Sequence, residues 1–339
     1  MKYSIIIPVY NRPDEADELL ESLCQQTVKD FEVVVVEDGS ATPCRAVVEK
    51  YADRLNVKYL VKENGGPGPA RNYGVERAEG DYVLILDSDC VVPEGYLAAI
   101  ETELEQNPCD AFGGPDAAHE SFTPIQKAIS YSMTSFFTTG GIRGGKKKMD
   151  KFYPRSFNMG MRRSVYQSLG GFAKMRFGED IDFSYRIVEA GYSCRLFPAA
   201  WVWHKRRTDF DKFFKQVFNS GIARINLEKR HPGTMKLVHT LPMVFTVGVI
   251  FLLVSAVVLK LALPATAWFV APLLPLLLYV LLIFCDASTQ NRSLVIGYYA
   301  VIAAFVQLMG YGLGFLKAWW LRCVLGKDEF AAFEKNFYD

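Results

Sequence analysis

Residues 81–90 read DYVLILDSDC, an apolar run that ends in two carboxylates. The five residues from Tyr82 to Leu86 are apolar or aromatic, which is typical of a strand buried on both faces of a sheet. Side chains alternate along a strand, so Asp87 and Asp89 are expected on the same side, about 6–7 Å apart. Two such carboxylates repel each other unless a cation lies between them, and Mg²⁺ or Mn²⁺ commonly joins carboxylates to phosphates. For an isolated DSD, a solvated turn with a helix cap is the favoured interpretation.

The pattern around this strand alternates between short apolar runs and helical stretches. Three further runs are predicted as strands, at residues 4–9, 31–37 and 57–61. Helices are predicted between them, starting at Pro13, passing through Val47 and Tyr51, and passing through Tyr73 and Val75. This alternation predicts an α/β fold with a mostly parallel sheet and helices on both faces. Ligands of such sheets gather outside the carboxyl ends of the strands, where Asp38 and Asp87 fall.

The carboxyl-terminal third of the chain is apolar enough for a bilayer. Three stretches carry no charge, at residues 241–259, 261–285 and 293–316. A hydrocarbon core about 30 Å thick needs roughly 20 apolar helical residues. We therefore expect three parts: a catalytic domain at 1–235, about three membrane helices at 236–325 and a short tail at 326–339.

The orientation of these helices has two interpretations. Three spans that start from a cytosolic domain leave the tail outside, yet the tail region carries basic residues that favour the cytosolic side, namely Lys317, Arg322, Lys327 and Lys335. Alternatively, prolines make the second stretch re-entrant and restore an even number of crossings, namely Pro264, Pro272 and Pro275.

Charge and cysteine content exclude several classes of protein. Lys and Arg total 38 and Asp and Glu total 37, so no overall positive field attracts nucleic acid. Seven scattered cysteines without a CxxC pair argue against a disulfide framework and against a zinc site. The first residues, MKYSIIIPVYN, have too short an apolar run for a signal peptide, which favours a cytosolic first domain at the inner membrane.

Five motifs in order resemble glycosyltransferase family 2, whose members have the GT-A fold: IIIPVYNR (5–12), VVVVEDGS (33–40), the run from glycine-rich loop to DSD (64–89), NMGMRRSVYQSLGGF (158–172) and GEDIDFSYRIVEAGYS (178–193). The resemblance covers roughly residues 1–230. It implies an inverting transferase that uses a nucleotide-sugar donor, with a UDP-sugar favoured, and a divalent cation, Mn²⁺ or Mg²⁺.

The resemblance also implies a donor site. Pro8 and Tyr10 would border the base, and Tyr10 offers a stacking face. Asp38 would accept hydrogen bonds from the base, although an Asx-turn before Gly39 is its structural alternative. Arg71, at the start of a helix, would bind carboxylate or phosphate, unless it is a surface arginine. Asp87 would approach the ribose or the water shell of the cation.

Three residues are expected to complete the chemistry. Asp89 would coordinate the cation, and His204 in WVWHKRR (201–207) is a second candidate ligand, since imidazole suits Mn²⁺. Asp180 matches the aspartate of the family's ED motif, which is taken as the base that accepts the proton of the attacking hydroxyl. Helix capping is the structural alternative for Asp180, and an ordinary structural role is the alternative for His204.

Two regions bear on the acceptor. Residues 143–163 hold eight basic residues against one acidic, which fits an anionic lipid surface, an acceptor pyrophosphate or a solvated loop. Processive synthases of the family carry a QxxRW motif, whereas residues 213–227 have Gln216 and Arg224 without an adjacent Arg-Trp. Transfer of a single sugar to a lipid-linked glycan is therefore favoured, in cell-surface polysaccharide or glycolipid synthesis, and a polyprenyl phosphate acceptor is the alternative.

Two other functions compete. GPGPAR (66–71) resembles the dinucleotide-binding GxGxxG of oxidoreductases, but its sixth position is arginine instead of glycine. A membrane protein that only binds nucleotide sugar is the second rival; the three apolar stretches contain no Asp, Glu, Lys or Arg, the residues that usually line a transport path.

Overall fold

A computed structural model of the chain describes residues 1–117, 122–140 and 152–329. These residues form two compact units. The first contains 1–117 and 152–205, and the second contains 122–140 and 206–329. The basic stretch 143–151 and residues 330–339 of the predicted tail lie outside the described residues. The domain boundaries expected at 235 and 325 stay predictions.

The strands and helices of the described residues are numbered here along the chain. The strands are β1 Tyr3–Val9, β2 Phe31–Asp38, β3 Val57–Lys62, β4 Tyr82–Leu86, β5 Cys90–Val91, β6 Ala111–Gly113, β7 Asp116–Ala117, β8 Asn158–Arg162, β9 Cys194–Leu196 and β10 Val202–His204. The helices are α1 Pro13–Cys24, α2 Arg45–Glu49, α3 Pro67–Val75, α4 Tyr96–Gln106, α5 Pro124–Thr134, α6 Phe136–Thr139, α7 Arg163–Ser168, α8 Glu179–Glu189, α9 Phe210–Arg230, α10 Leu241–Ala262, α11 Leu274–Asn291 and α12 Leu294–Trp319.

The main sheet of the first unit has the order β3-β2-β1-β4-β8-β6-β9 within the described residues. β1 pairs in parallel with both β2 and β4, and β2 pairs in parallel with β3. β8 is antiparallel to its two neighbours β4 and β6, while β9 is parallel to β6. The carboxyl ends of β1, β2 and β4 therefore meet at one edge, as the strand–helix alternation predicts.

The strands β1, β2 and β4 are buried on both faces, which explains why they are largely apolar. Alternate residues of each strand pack into different cores: Ile5 and Ile7 of β1 into one, and Ile6 into the other. Leu84 and Ile85 of β4 divide in the same way. The predicted fold class, a mostly parallel α/β sheet with helices on both faces, is confirmed.

One helix ends earlier in the structure than the sequence predicts. The apolar pattern through Val47 and Tyr51 predicts a helix that reaches Tyr51, but α2 ends at Glu49. Tyr51 lies in the turn that follows, where its amide still donates to the carbonyl of Val48. Its ring is buried and its hydroxyl donates to Asp17 of α1 at 2.7 Å. Tyr51 is therefore an apolar position four residues after Val47 because it packs on α1, and the helix itself does not continue to it.

A second, three-stranded sheet in the first unit has the order β5-β10-β7. β10 pairs antiparallel with β5, with His204 opposite Cys90, and in parallel with β7, with Val202 opposite Asp116. These strands are only two or three residues long. They nevertheless fix where His204 lies relative to the DSD motif.

The second unit consists of helices. α12 packs along α9, α5, α10 and α11. Three helical segments of this unit are long and apolar enough to cross a membrane: Leu241–Ala262, Trp268–Asn291 and Leu294–Val324. They overlap the three uncharged stretches of the sequence, although the second segment begins at Trp268. In the second stretch Pro272 is in a 3₁₀ turn and Pro275 is in the first turn of α11.

Candidate active site

Arg71 joins the end of β4 to the start of α8. Its Nη2 lies 2.7 Å from Oδ1 of Asp87, and its Nη1 lies 2.9 Å from Oε1 of Glu179. The side chain of Arg71 is 3% exposed, and its guanidinium lies over the ring of Phe172, 5.1 Å from the centroid. Arg71 is therefore a buried bridge between two carboxylates, and the alternative of a surface arginine is wrong.

Asp180 lies in the first turn of α8, beside Glu179, and is itself largely buried. Its Oδ2 accepts a hydrogen bond from Nε of Arg155 at 2.7 Å, and its Oδ1 accepts from the amide of Ile181 at 2.9 Å. Burial opposes ionisation of Asp180, but the charge and hydrogen bond of Arg155, with help from Arg71, hold its pKa below the usual value. The carboxylate is therefore ionised at neutral pH.

The pKa of Glu179 is shifted in the opposite direction to that of Asp180. Burial is the main reason that its pKa is raised, and the neighbouring charge of Asp180 adds to it, while Arg71 offsets only part. Two adjacent carboxyl groups thus have their pKa values moved apart by their surroundings. Such separation is common where one of two acids has a chemical task, although structural ion pairs also produce it.

Asp89 and His204 are neighbours because β10 pairs with β5. Nε2 of His204 lies 3.3 Å from Oδ1 of Asp89, and its Nδ1 lies 3.9 Å from Oδ2 of Asp116. The imidazole is stacked on the ring of Phe157, with centroids 5.0 Å apart. The two residues predicted as metal ligands are therefore brought together, although 115 positions separate them in the sequence.

The donors around Asp89 suit a divalent cation. Ligand atoms of Asp89, Cys90 and His204 lie within 4.8 Å of one another, and a carboxylate oxygen with an imidazole nitrogen suits Mn²⁺. Cys90 is the weaker candidate, because burial and the charges of Asp89 and Asp87 raise its thiol pKa well above the usual value. The second oxygen of Asp89 pairs with Nη1 of Arg12 at 2.6 Å.

Asp38, the last residue of β2, is almost completely buried. Its Oδ1 accepts from Nζ of Lys62 at 2.6 Å and from the amide of Gly65 at 3.0 Å. Its Oδ2 accepts from the amide of Gly66 at 2.8 Å and from Nδ2 of Asn64 at 3.3 Å. The four acceptor positions of the carboxylate thus hold the glycine-rich loop in place.

The end of β1 is tied to the end of β2. Pro8 is the next-to-last residue of β1 and is partly exposed, and Tyr10 follows the strand. Asn11, in a left-handed conformation with φ 53°, donates from its amide to Oγ of Ser40 at 2.7 Å and accepts from the amide of Thr42 at 3.0 Å. Pro8 and Tyr10 therefore lie at the end of β1, next to the end of β2 that carries Asp38.

Comparison with known proteins agrees with this architecture. A family model described as glycosyl transferase family 2 matches residues 4–170. Glycosyltransferase EpsJ of Bacillus subtilis, described as uncharacterized, is 35% identical over 186 residues, which is 53% of this chain and 52% of EpsJ. Residues 4–170 form a domain of glycosyltransferase family 2.

Two other relatives named as glycosyltransferases match either a shorter segment or at lower identity. The poly(ribitol-phosphate) beta-N-acetylglucosaminyltransferase TarS of Staphylococcus aureus is 46% identical over 114 residues. That match covers 32% of this chain but only 20% of TarS. Glycosyltransferase AglE of Haloferax volcanii is 25% identical over 229 residues, 66% of this chain and 73% of AglE.

A solved structure has the same fold. The mannosyltransferase PcManGT of Pyrobaculum calidifontis, solved with GDP-Man and Mn²⁺, superimposes with a TM-score of 0.59 at 18% identity. The match covers 95% of this chain and 88% of PcManGT. At that identity the likeness concerns the fold alone, and it agrees with the GT-A architecture expected from the motifs.

The contacts described above form one cluster of polar side chains at the carboxyl ends of the strands, and the family 2 motifs predicted most of its residues. Arg71 connects Asp87 with the carboxylate next to Asp180, and Asp89 meets His204. Pro8, Tyr10 and Asp38 lie at the ends of β1 and β2, at the same edge of the sheet. The roles of these residues in binding and catalysis stay predictions.

Four side chains of the cluster were not assigned a role from sequence. Arg12 belongs to the quoted motif IIIPVYNR and Glu179 to the quoted ED pair, so motif position is the signal for both. Arg155 lies within the basic stretch 143–163, where no feature separates it from the other basic residues. Asp116 has no signal in the sequence and is revealed only by the pairing of β7 with β10.

Proposed function

We propose that this chain is a metal-dependent, inverting glycosyltransferase that moves one sugar from a nucleotide-sugar donor, a UDP-sugar being favoured, to a lipid-linked glycan. The observation that carries the proposal is the bridge made by Arg71. It joins Asp87, on the predicted donor side, to Glu179, which is adjacent to the predicted base Asp180. The match to the family 2 model supports the reaction class, and so do relatives that are named as glycosyltransferases.

Asp89 and His204 are the proposed ligands of the cation, Mn²⁺ or Mg²⁺, and Asp87 faces the ribose or the water shell of the cation. A cation bound there would neutralise the negative charge that accumulates on the departing diphosphate. Arg12, in contact with Asp89, adds a positive charge to the same side of the site.

Asp180 is the proposed general base. Its ionised carboxylate would accept the proton of the attacking acceptor hydroxyl on the face of the sugar opposite the diphosphate, which gives inversion at the anomeric carbon. Arg71 keeps the donor-side carboxylate and α8 at a fixed separation, so that base and leaving group stay aligned.

Pro8, Tyr10 and Asp38 are the proposed binding site for the base of the nucleotide. Because all four acceptor positions of Asp38 are filled by the chain, a base that hydrogen-bonds to Asp38 has to displace a donor. The contact with Nδ2 of Asn64, at 3.3 Å, is the longest of the four.

The proposed location is the cytoplasmic membrane, with several crossings and the catalytic domain on the cytosolic side. The three long apolar helical segments support it. A polyprenyl phosphate is the alternative acceptor. The partly exposed guanidinium of Arg155 lies beside Asp180, and its positive charge favours an anionic acceptor. Membrane lipids are partners in either case.

Release of nucleoside diphosphate tests the proposal. The full chain in nanodiscs is incubated with a panel of nucleotide sugars and with either lipid-linked glycans or polyprenyl phosphates, with Mn²⁺ or with EDTA. We expect release that requires the metal, that collapses in Asp89→Ala and that persists in the exposed control Asp53→Ala. Release without metal would make the assignment of Asp89 wrong.

A second variant separates an enzyme from a binding protein. Asp180→Asn preserves the shape of the side chain but cannot accept the proton, so turnover should fall about 10²–10⁴-fold while donor binding is retained. Unchanged turnover in Asp180→Asn would contradict the assignment of the base.

A further inference from the structure

Helices α5 and α6 pack against α12 and are joined to α11 by two hydrogen bonds. The hydroxyl of Tyr131 in α5 donates to Oδ2 of Asp286 at 2.5 Å. Further along, the hydroxyl of Tyr279 donates to the main-chain carbonyl of Phe137 in α6 at 3.2 Å. Asp286 and Tyr279 are seven residues apart on α11, about 10 Å along its axis. The segment therefore follows α11 in the opposite direction over that distance.

One end of α11 is polar and the rest is apolar. Its carboxyl-terminal end carries Asp286, Gln290 and Asn291, and Arg292 follows. Around Tyr279 the helix instead exposes leucines, namely Leu274, Leu277, Leu278, Leu281 and Leu282. If α11 crosses a bilayer, its polar end lies at the surface, and Tyr279 lies about 10 Å deeper, within a half-core about 15 Å thick.

The part of the chain beside Tyr279 is itself suited to lipid. No charged residue occurs between Lys127 and Arg143. One side of α5 packs Ala128 and Ile129 into the apolar core of the second unit, together with Ile283 of α11. Phe136 and Phe137 point away from that core and are 70% and 41% exposed. In water such a pair would expose a large apolar area, whereas acyl chains would cover it without penalty.

Several main-chain groups at the break between α5 and α6 have hydrogen-bond partners within the segment. Oγ of Ser135 accepts from the amide of Phe137 at 3.2 Å. The carbonyl of Ser135 accepts from the hydroxyls of Thr138 at 3.1 Å and Thr139 at 2.8 Å, and Thr138 also donates to the carbonyl of Ser132. Because hydrocarbon offers no water to unpaired peptide groups, a break in a helix is tolerated there only when its polar groups find partners in the protein.

From these contacts we propose that α5 and α6 form a re-entrant membrane element, which enters beside the polar end of α11 and places Phe136 and Phe137 against lipid acyl chains. This element is separate from the three long apolar segments and is too short for a span. The inference rests on the proposed membrane location of α11, so its test must report on α11 as well.

Spin labelling of the full chain in lipid nanodiscs tests the inference. The two exposed cysteines are removed as Cys285→Ser and Cys323→Ser, and one label is then placed at Phe136→Cys. Leu278→Cys on α11 is the reference for lipid, and Val61→Cys on β3, 53% exposed, is the reference for water. Power saturation compares collisions of each label with oxygen, which concentrates in hydrocarbon, and with a water-soluble nickel complex.

We expect the label at Phe136→Cys to behave like that at Leu278→Cys, with collisions shifted from nickel towards oxygen. A lipid-like Leu278→Cys together with a water-like Phe136→Cys would overturn the re-entrant element and leave the proposed span in place. Water-like behaviour at both positions would overturn both. Unlabelled variants that unfold are recognised by loss of the melting transition, and Phe137→Cys then serves as a second position with the same expected outcomes.

Discussion

Nε of Arg155 lies 2.7 Å from Oδ2 of Asp180, so the proposed base is held in an ion pair. The arginine is 40% exposed and the aspartate 12% exposed, which leaves the pair open to solvent on the side of Arg155. The contact fixes the orientation of the carboxylate and keeps it charged, because Arg155 outweighs the effect of burial on its pKa. An arginine outside the recognised motifs is thus expected to set the acidic limit of activity.

Replacement of this arginine should change the pH profile. In Arg155→Met the pKa of Asp180 should rise, since burial would no longer be offset by the adjacent charge. The base is active only when deprotonated, so the acidic limb of the kcat/KM profile should move to higher pH. The measurement is nucleoside diphosphate release between pH 5 and 8, and Arg155→Lys, which keeps the charge, should stay closer to the unmodified profile. An unchanged acidic limb in Arg155→Met would contradict the role of the ion pair.

Arg71 should be important for stability as well as for alignment. Arg71→Met removes a buried cation and leaves Asp87 and Glu179 without their partner, which should lower the free energy of unfolding by about 3 kcal/mol. Thermal unfolding in detergent measures the loss. Arg54→Met breaks an exposed ion pair with Glu21 and should leave the unfolding temperature almost unchanged. Equal effects of the two variants would show that the bridge does not hold the site together.

His204 should contribute to metal affinity. His204→Gln removes the imidazole nitrogen beside Asp89 and should weaken Mn²⁺ binding by about tenfold or more, as with other losses at metal sites. Binding of Mn²⁺ alone is followed by the electron paramagnetic resonance signal of the free ion. His239→Gln, outside the cluster, is the control and should bind as the unmodified chain does. Unaltered affinity in His204→Gln would leave His204 a structural residue.

Close packing of α9 on α12 depends on Gly221. A Cβ at this position would lie 2.1 Å from the carbonyl oxygen of Tyr311 and 2.7 Å from the amide of Phe315, both of them main-chain atoms that cannot move aside easily. Gly221→Ala should therefore destabilise the second unit by about 1–3 kcal/mol. Gly248→Ala, where a Cβ meets nothing within 4 Å, should be neutral or slightly stabilising. Unfolding temperatures in detergent compare the two, and an equal response would count against close packing.

Local sequence signals were sufficient for the parallel half of the sheet. The strands β1, β2 and β4 are continuous apolar runs bounded by turns or charged residues, and burial on both faces requires just that composition. The long apolar segments of the second unit were equally clear, since lipid and protein interiors both select apolar residues. In these regions each residue's preference agrees with its final environment.

The pairing of strands that are distant in the sequence could not be predicted from local signals. The residues of β8, NMGMR (158–162), have no strand-like alternation, and their place between β4 and β6 is set by hydrogen bonds to both neighbours. The contact of Asp89 with His204 depends on strands of two and three residues, which are too short to leave a pattern. The burial of Arg71 likewise requires both acidic partners, and their positions are known only once the chain is folded.

The position of β8 has a consequence for biosynthesis. β4 leaves the ribosome well before β8, with α5 and α6 encoded in between, and until β8 arrives one edge of an apolar strand has no partner. Such an edge recruits other chains. A nascent chain that stalls between β4 and β8 should therefore depend on chaperones, and truncation between these two strands should yield aggregates instead of a smaller soluble nucleotide-binding fragment.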